Sequence, residues 1–289
     1  MTPPPLRYIR HESEIGDWEM AIRPPAAKLL PFVRSYEGYI DRTPGQGRRL
    51  HVPQSIVVLI ITLGSVMRVI DPRVPATETA LLGTYVAGLF DSYVLTQFTA
   101  SSKGIQVNFT PLGAHLFLRV PMDSVANRAV ELDEILGPSS RRLEEQLTDL
   151  PDWESRFALL DAFILQRIAE AATPSRAVNL AWKRLRATNG QVQITSLAEE
   201  VECSHKHLIA GFREQIGLPP RTMARILRFE RTVQVLGERP VERLADLALD
   251  CGYYDQSHFN RDFREFAGMT PQDYIARLLP EGGGVSGDG

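Results

Sequence analysis

Near the carboxyl end, the run "DQSHFNRDFREF" gathers side chains suited to directional hydrogen bonding: Gln256, Ser257, Asn260, Arg261 and Arg264. The fork of an arginine pairs with the O6/N7 edge of guanine, Asn and Gln pair with the N6/N7 edge of adenine, and all of them can hold phosphate. At roughly 100° per residue from Phe259, the rings of Phe263 and Phe266 return within about 40°. Ser257, Asn260, Arg264 and Arg261 fall between about 100° and 200°. One face is therefore built to be buried and the other to be presented. A lone polar helix face is equally what any solvated helix shows, so the surrounding sequence must decide.

It does so by repetition. Leu197 and Ala198 recur as Leu247 and Ala248, 50 residues on, while Leu208, Phe212, Arg213, Glu214, Gly217 and Pro220 recur as Phe259, Phe263, Arg264, Glu265, Gly268 and Pro271, 51 residues on. The inserted residue falls in "CGYYDQ", where Gly252 allows a sharp turn and Asp255 is a good N-cap. Each copy thus reads as helix, turn and second helix, closed by a Gly-containing exit and a Pro. Two such second helices can address successive major-groove turns, about 34 Å apart. In the first copy the equivalent outer face is Lys206, Ile209, Ala210 and Arg213. Two of its four members have no hydrogen-bonding side chain, though Ile209 and Ala210 fit thymine methyl groups.

The chain that must position these helices has 289 residues, room for two domains. Its net charge of −3 does not announce a polyanion partner. The charge is uneven, however, with 15 basic and 13 acidic residues in 174–280 against 17 and 20 in 1–173. This mild asymmetry permits phosphate binding. Two cysteines, Cys203 and Cys251, are too few for a disulfide framework or a four-ligand zinc site. Together with the lack of a signal-peptide core or a membrane-length apolar run, they point to a cytoplasmic protein with no membrane partner.

Up to about Thr110 the reading is strands: "FVRSYEGYI", "SIVVLIIT", "SVMRVI", "SYVLTQFTA" and "GIQVNFT" are rich in β-branched and aromatic residues and punctuated by Gly and Pro. A small barrel or sandwich follows. From Leu112 helix signals take over. In "PDWESRFALLDAFILQRIAEA" a stripe of Trp153, Phe157, Leu160, Ile164 and Ile168 could pair two subunits or pack on its own barrel. "TPSRA" (173–177) reads as a linker, and "EGGGVSGDG" (281–289) as a disordered tail.

The pattern "LADLALDCGYYDQSHFNRDFREFAGMTPQDY", preceded by "SLAEEVECSHKHLIAGFREQIGLPPRTMARILRFERTVQVL", resembles the DNA-binding domain of the AraC/XylS family of transcription regulators. The resemblance covers roughly residues 175–278. It implies an α+β multidomain chain: residues 1–172 form a cupin-like β-barrel or sandwich with helices, serving as sensor or dimerisation domain. Residues 173–280 form an all-α domain with two helix-turn-helix units joined by a long helix. It implies double-stranded DNA as partner, read in the major groove, and an activator or repressor. The DNA-facing residues would be Ser204, His205, Lys206, His207, Ile209 and Arg213 from the first recognition helix. From the second they would be Tyr254, Gln256, Ser257, Asn260, Arg261 and Arg264. The family usually carries an arginine where this chain has Ala210, and Leu and Ala where it has Phe229 and Thr232.

The resemblance further implies a small-molecule effector in the amino domain, a homodimer and, for an activator, contact with RNA polymerase. Trp18, Tyr36, Tyr39, Tyr85 and Phe98 are the aromatic candidates for an effector pocket. The alternative is a protein-interaction module without ligand, and an enclosed pocket would separate the two. Catalytic residues are not expected. There is no GxSxG elbow, phosphate loop or Cys/His zinc spacing, and His51 and His115 lack the clustered ligands of a metal cupin, so neither metal nor cofactor is called for.

Overall fold

The computed structural model describes residues 5–13, 16–42, 48–64, 67–73, 78–81, 83–98, 101–238, 241, 243–279 and 284–287. Its amino half is a pair of antiparallel sheets. The strands are β1 (Arg7–Ser13), β2 (Gly16–Arg23), β3 (Val33–Asp41), β4 (Arg48–His51), β5 (Val57–Thr62), β6 (Met67–Ile70), β7 (Glu78–Leu81), β8 (Tyr85–Ala87), β9 (Val94–Phe98), β10 (Ser102–Phe109), β11 (Ala129–Glu131) and β12 (Val285–Ser286). Seven form one sheet in the order β1-β2-β3-β10-β5-β8-β11, and five form the other, β12-β4-β9-β6-β7. The expected strands are all present. The short or charged strands β1, β2, β4, β7, β8 and β11 add to them.

The larger sheet is covered on both sides, and alternation along β3 assigns its residues. Tyr36 faces the helices; Glu37 and Tyr39 face the second sheet. On the helical side lie α1 (Pro111–Leu118), α2 (Leu132–Leu136), α3 (Pro138–Asp149) and α4 (Trp153–Ala169). The stripe of α4 is turned inward: Trp153, Phe157, Leu160 and Ile164 are buried, with Phe157 stacked on Tyr36 at 5.5 Å. Of the two uses open to this helix, packing on its own barrel is the one adopted.

Asp161 of α4 fixes that packing. It meets Arg23 at 2.5 Å, accepts from the Tyr36 hydroxyl at 2.9 Å and from the Ala26 amide at 2.9 Å. Arg23 is only 2% exposed.

The carboxyl half contains α5 (Arg176–Ala187), α6 (Ile194–Glu200), α7 (His205–Gln215), α8 (Pro220–Glu238), α9 (Leu244–Asp250), α10 (Gln256–Ala267) and α11 (Pro271–Ala276). The two halves share one continuous apolar core. Arg34 of β3, Ser55 and Glu230 of α8 form a cross-link, with the Ser55 hydroxyl donating to Glu230 Oε2 at 2.6 Å and Arg34 to Glu230 Oε1 at 3.3 Å. Tyr93, just before β9, lies against Gly268. A Cβ on that glycine would come within 2.4 Å of the Tyr93 ring.

The tail departs from expectation. Residues 284–287 are ordered against the barrel: Val285, 5% exposed, pairs with Leu50 of β4, and Ser286 with Arg49. A single buried valine and an open strand edge outweigh a composition that reads as disordered.

Two stability outcomes follow. Asp161→Ala leaves Arg23 buried beside only the half-exposed Glu154, and should cost about 3–5 kcal/mol in a urea titration. Gly268→Ala adds both a side chain at φ 69° and the clash with Tyr93. It should lower stability by roughly 1–3 kcal/mol, and a Gly268→Ala/Tyr93→Ala double variant should be less destabilised than the two singles together.

Candidate nucleic-acid interface and barrel cavity

The repeat seen in the sequence is a repeat in space. Helices α6 and α9 begin and end 50 residues apart, and α7 and α10 begin 51 apart, so the extra residue lies in the second turn. Both turns need the left-handed backbone at the same place: Glu202 at φ 55° in the first, Gly252 at φ 81° in the second. The following helices are capped alike. Ser204 accepts from the His207 amide at 3.2 Å, and Asp255 from the His258 amide at 2.7 Å.

The inner face of α10 is the expected one. Phe259, Phe263 and Phe266 are each fully buried, with Phe229 of α8 edge-on to Phe263 at 5.1 Å and tilted against Phe266 at 5.1 Å. Phe229, the departure from the family pattern, thus fills the space between the two helices.

One anchor escaped the sequence reading. Asp262, 1% exposed, accepts from Arg225 of α8 at 2.9 Å, and the same guanidinium reaches Glu265 at 2.6 Å and covers the Phe266 ring. The hydrogen bonds to Glu265 and Asp262 push the Arg225 pKa further up. The signal available was "FNRDF", in which Asp262 lies between Phe259 and Phe263; a carboxylate there must have a cationic partner.

On the outer face, Tyr254 is 87% exposed. Gln256, Ser257, Arg261 and Arg264 are exposed and Asn260 is half-buried. Among the described residues, no hydrogen bond or ion pair engages the side chains of Gln256, Ser257, Asn260, Arg261 or Arg264. In the first unit His205, Lys206, His207, Ala210 and Arg213 are exposed and Ile209 half-buried. No group of three or more His, Cys, Asp or Glu side chains suited to a metal occurs among the described residues. Neither is any helix there long and apolar enough to cross a membrane.

Between the two sheets lies a cavity of about 480 Å³. Trp18, Tyr39 and Tyr85 are among the residues that line it. Tyr36 is not: three positions from Tyr39, it has the opposite strand parity and belongs to the α4 contact. The Phe98 side chain lies outside the described residues. The polar lining was not read from sequence. Glu37 accepts on Oε1 from Asn108 at 2.6 Å and from Ser35 at 3.0 Å, and Gln106 donates to Asn108 at 2.8 Å. Burial pushes the Glu37 pKa up, against the pull of those hydrogen bonds. His51 is among the lining residues, with Nε2 2.8 Å from Thr96 Oγ1, and desolvation, then the charge of Arg49, lowers its pKa to about 4.

Two capped helices, each presented from a helix-turn-helix and both held on one long helix, define a DNA-binding protein of the double helix-turn-helix class. Residues 197–277 match the family described as "Helix-turn-helix domain", and residues 22–131 match a "Domain of unknown function (DUF6597)". The carboxyl domain belongs to the AraC-type helix-turn-helix family. No curated protein sequence matches the chain. Among solved structures, ToxT from Vibrio cholerae is similar at 8% identity over 84% of this chain and 99% of that one, with a TM-score of 0.48. Unsaturated fatty acid bound wild-type ToxT from Vibrio cholerae strain SCE256 follows at 9% identity, 81% and 92% coverage and a TM-score of 0.47. An AraC-type transcriptional regulator from Chromobacterium violaceum is similar at 22% identity over 37% of this chain and 95% of that one, with a TM-score of 0.33.

Removing the buried anchor tests how the second unit is held. Asp262→Ala should cost roughly 2–3 kcal/mol in chemical denaturation, below the usual range for a broken buried pair because Arg225 keeps Glu265. It should also weaken DNA binding without touching the presented face.

Proposed function

We propose that this transcription regulator reads DNA through the outer faces of α7 and α10 and is governed by a small molecule held between the sheets of residues 1–172, with residues 173–280 as the reader. The observation that carries the DNA reading is the exposure of Gln256, Ser257, Arg261 and Arg264, with the half-buried Asn260 among them, on a helix whose opposite face is locked to α8. The cavity is half open rather than enclosed, and it is its volume, within the range typical of small-molecule sites, that supports a ligand sensor over a ligand-free interaction module. The α4 stripe packs on its own sheet, so a homodimer would use another surface.

The two units are unequal readers. Asn260 and Arg261 stand where the first unit has Ile209 and Ala210, so the second contributes more of the base discrimination. Selection of binding sites from random DNA by the full chain should return a site with two half-elements about one helical turn apart, the second-unit element being the more sharply defined. At fixed salt, Arg261→Ala should weaken operator binding by about 1–3 kcal/mol and relax one position if it reads a base. Unchanged operator affinity would overturn the assignment.

A further inference from the structure

The chemistry of the cavity wall is specific enough to name a ligand class. Strand pairing sets Trp18 and Met20 of β2, Glu37, Tyr39 and Asp41 of β3, Gln106 and Asn108 of β10, Val58 and Ile60 of β5, and Tyr85 of β8 on one wall. Opposite stand Arg49 and His51 of β4, Val94 and Thr96 of β9 and Met67 and Val69 of β6. The one arginine is taken: Arg49 lies 3.7 Å from Asp41, with its guanidinium over the Trp18 ring. His51 is hydrogen-bonded to Thr96, and desolvation and the nearby Arg49 lower its pKa. Among the described lining residues Glu37 is the remaining carboxylate. Ser35 and Asn108 both donate to its Oε1, a two-point hold that fixes the carboxylate, and among the described residues no donor reaches Oε2.

A carboxylate set among apolar and aromatic side chains calls for a counter-charge. Aromatic residues elsewhere in the lining, Tyr39 and Tyr85, favour a cation too.

Building on the sensor reading of the barrel, we propose that the cavity binds a small organic amine, its protonated nitrogen paired with Glu37 Oε2 and its apolar body against Met20, Tyr39, Val58, Ile60 and Tyr85. Such a ligand returns to Glu37 the charge balance that its place in the sheet denies it. Because the pair forms with the ionised carboxylate, affinity rises with pH as Glu37 loses its proton and levels off above.

The test uses the full chain and three probes sharing one body: tryptamine, tryptophol and indole-3-acetate. Calorimetry and thermal unfolding should show tryptamine binding at least tenfold tighter than tryptophol and raising the melting temperature, with indole-3-acetate weakest. Glu37→Gln keeps the acceptor oxygen for Ser35 and Asn108; it should fold normally by circular dichroism, abolish the tenfold preference and leave tryptophol affinity within about twofold. The pH dependence of tryptamine affinity in the unmodified chain gives the same answer without a variant. Tighter binding of indole-3-acetate, lost on Arg49→Ala, would overturn the proposal in favour of an anionic ligand, and so would the absence of binding by all three probes. Operator affinity separates the two readings. If saturating tryptamine binds through Glu37 yet leaves DNA affinity unchanged, the ligand class stands and the sensor reading fails.

Discussion

The seat of Phe229 against Phe263 and Phe266 sets the roll of α10, and with it everything the second unit presents. A helix with three rings on one side can turn about its axis by several tens of degrees before hydrophobic burial alone objects. Asp262 removes that freedom. Because its carboxylate must stay with Arg225, the helix is indexed on α8 to within the length of a hydrogen bond. Burial supplies the energy of docking and the ion pair supplies the register, and Asn260 and Arg261 face outward as a result of both.

The same logic is used in the barrel. The Asp161 cluster indexes α4 on β2 and β3, and α4 in turn closes the face of the large sheet opposite the cavity. The two halves then meet through apolar contact reinforced by Arg34, Ser55 and Glu230. Tyr93 is placed to transmit a change between them: it adjoins β9, whose Val94 and Thr96 line the cavity, and its ring rests on the glycine that ends α10. A ligand-driven shift of β9 would therefore press on the second reading helix at its carboxyl end, leaving the DNA-facing amino end free to tilt.

Much of this was legible in the sequence wherever one period dominated. The aromatic face of α10, the repeat with its single inserted residue and the five strongest strands were all visible because tertiary packing agreed with local pattern. Legibility failed where an element is buried on both sides or scarcely at all. Strand β3 carries aromatic residues at both parities because helices cover one face and the cavity the other, so period-two reasoning could not separate Tyr36 from Tyr39 or single out Glu37. Strands β4 and β12 are four and two residues long, with one buried apolar side chain each, Leu50 and Val285, below what any pattern can register. Arg225 and Asp262 are 37 positions apart, a pairing that only the fold brings together.

The strand Val285–Ser286 has a mechanical meaning. The reading domain leaves the barrel after α4 and comes back to it at β4, so it is attached at both of its ends. A domain on a single linker explores a cone of orientations, whereas one attached at both ends and packed on the barrel between them is restrained. Val285 also forms part of the cavity lining. One of the reader's two attachments is thus made from the cavity wall.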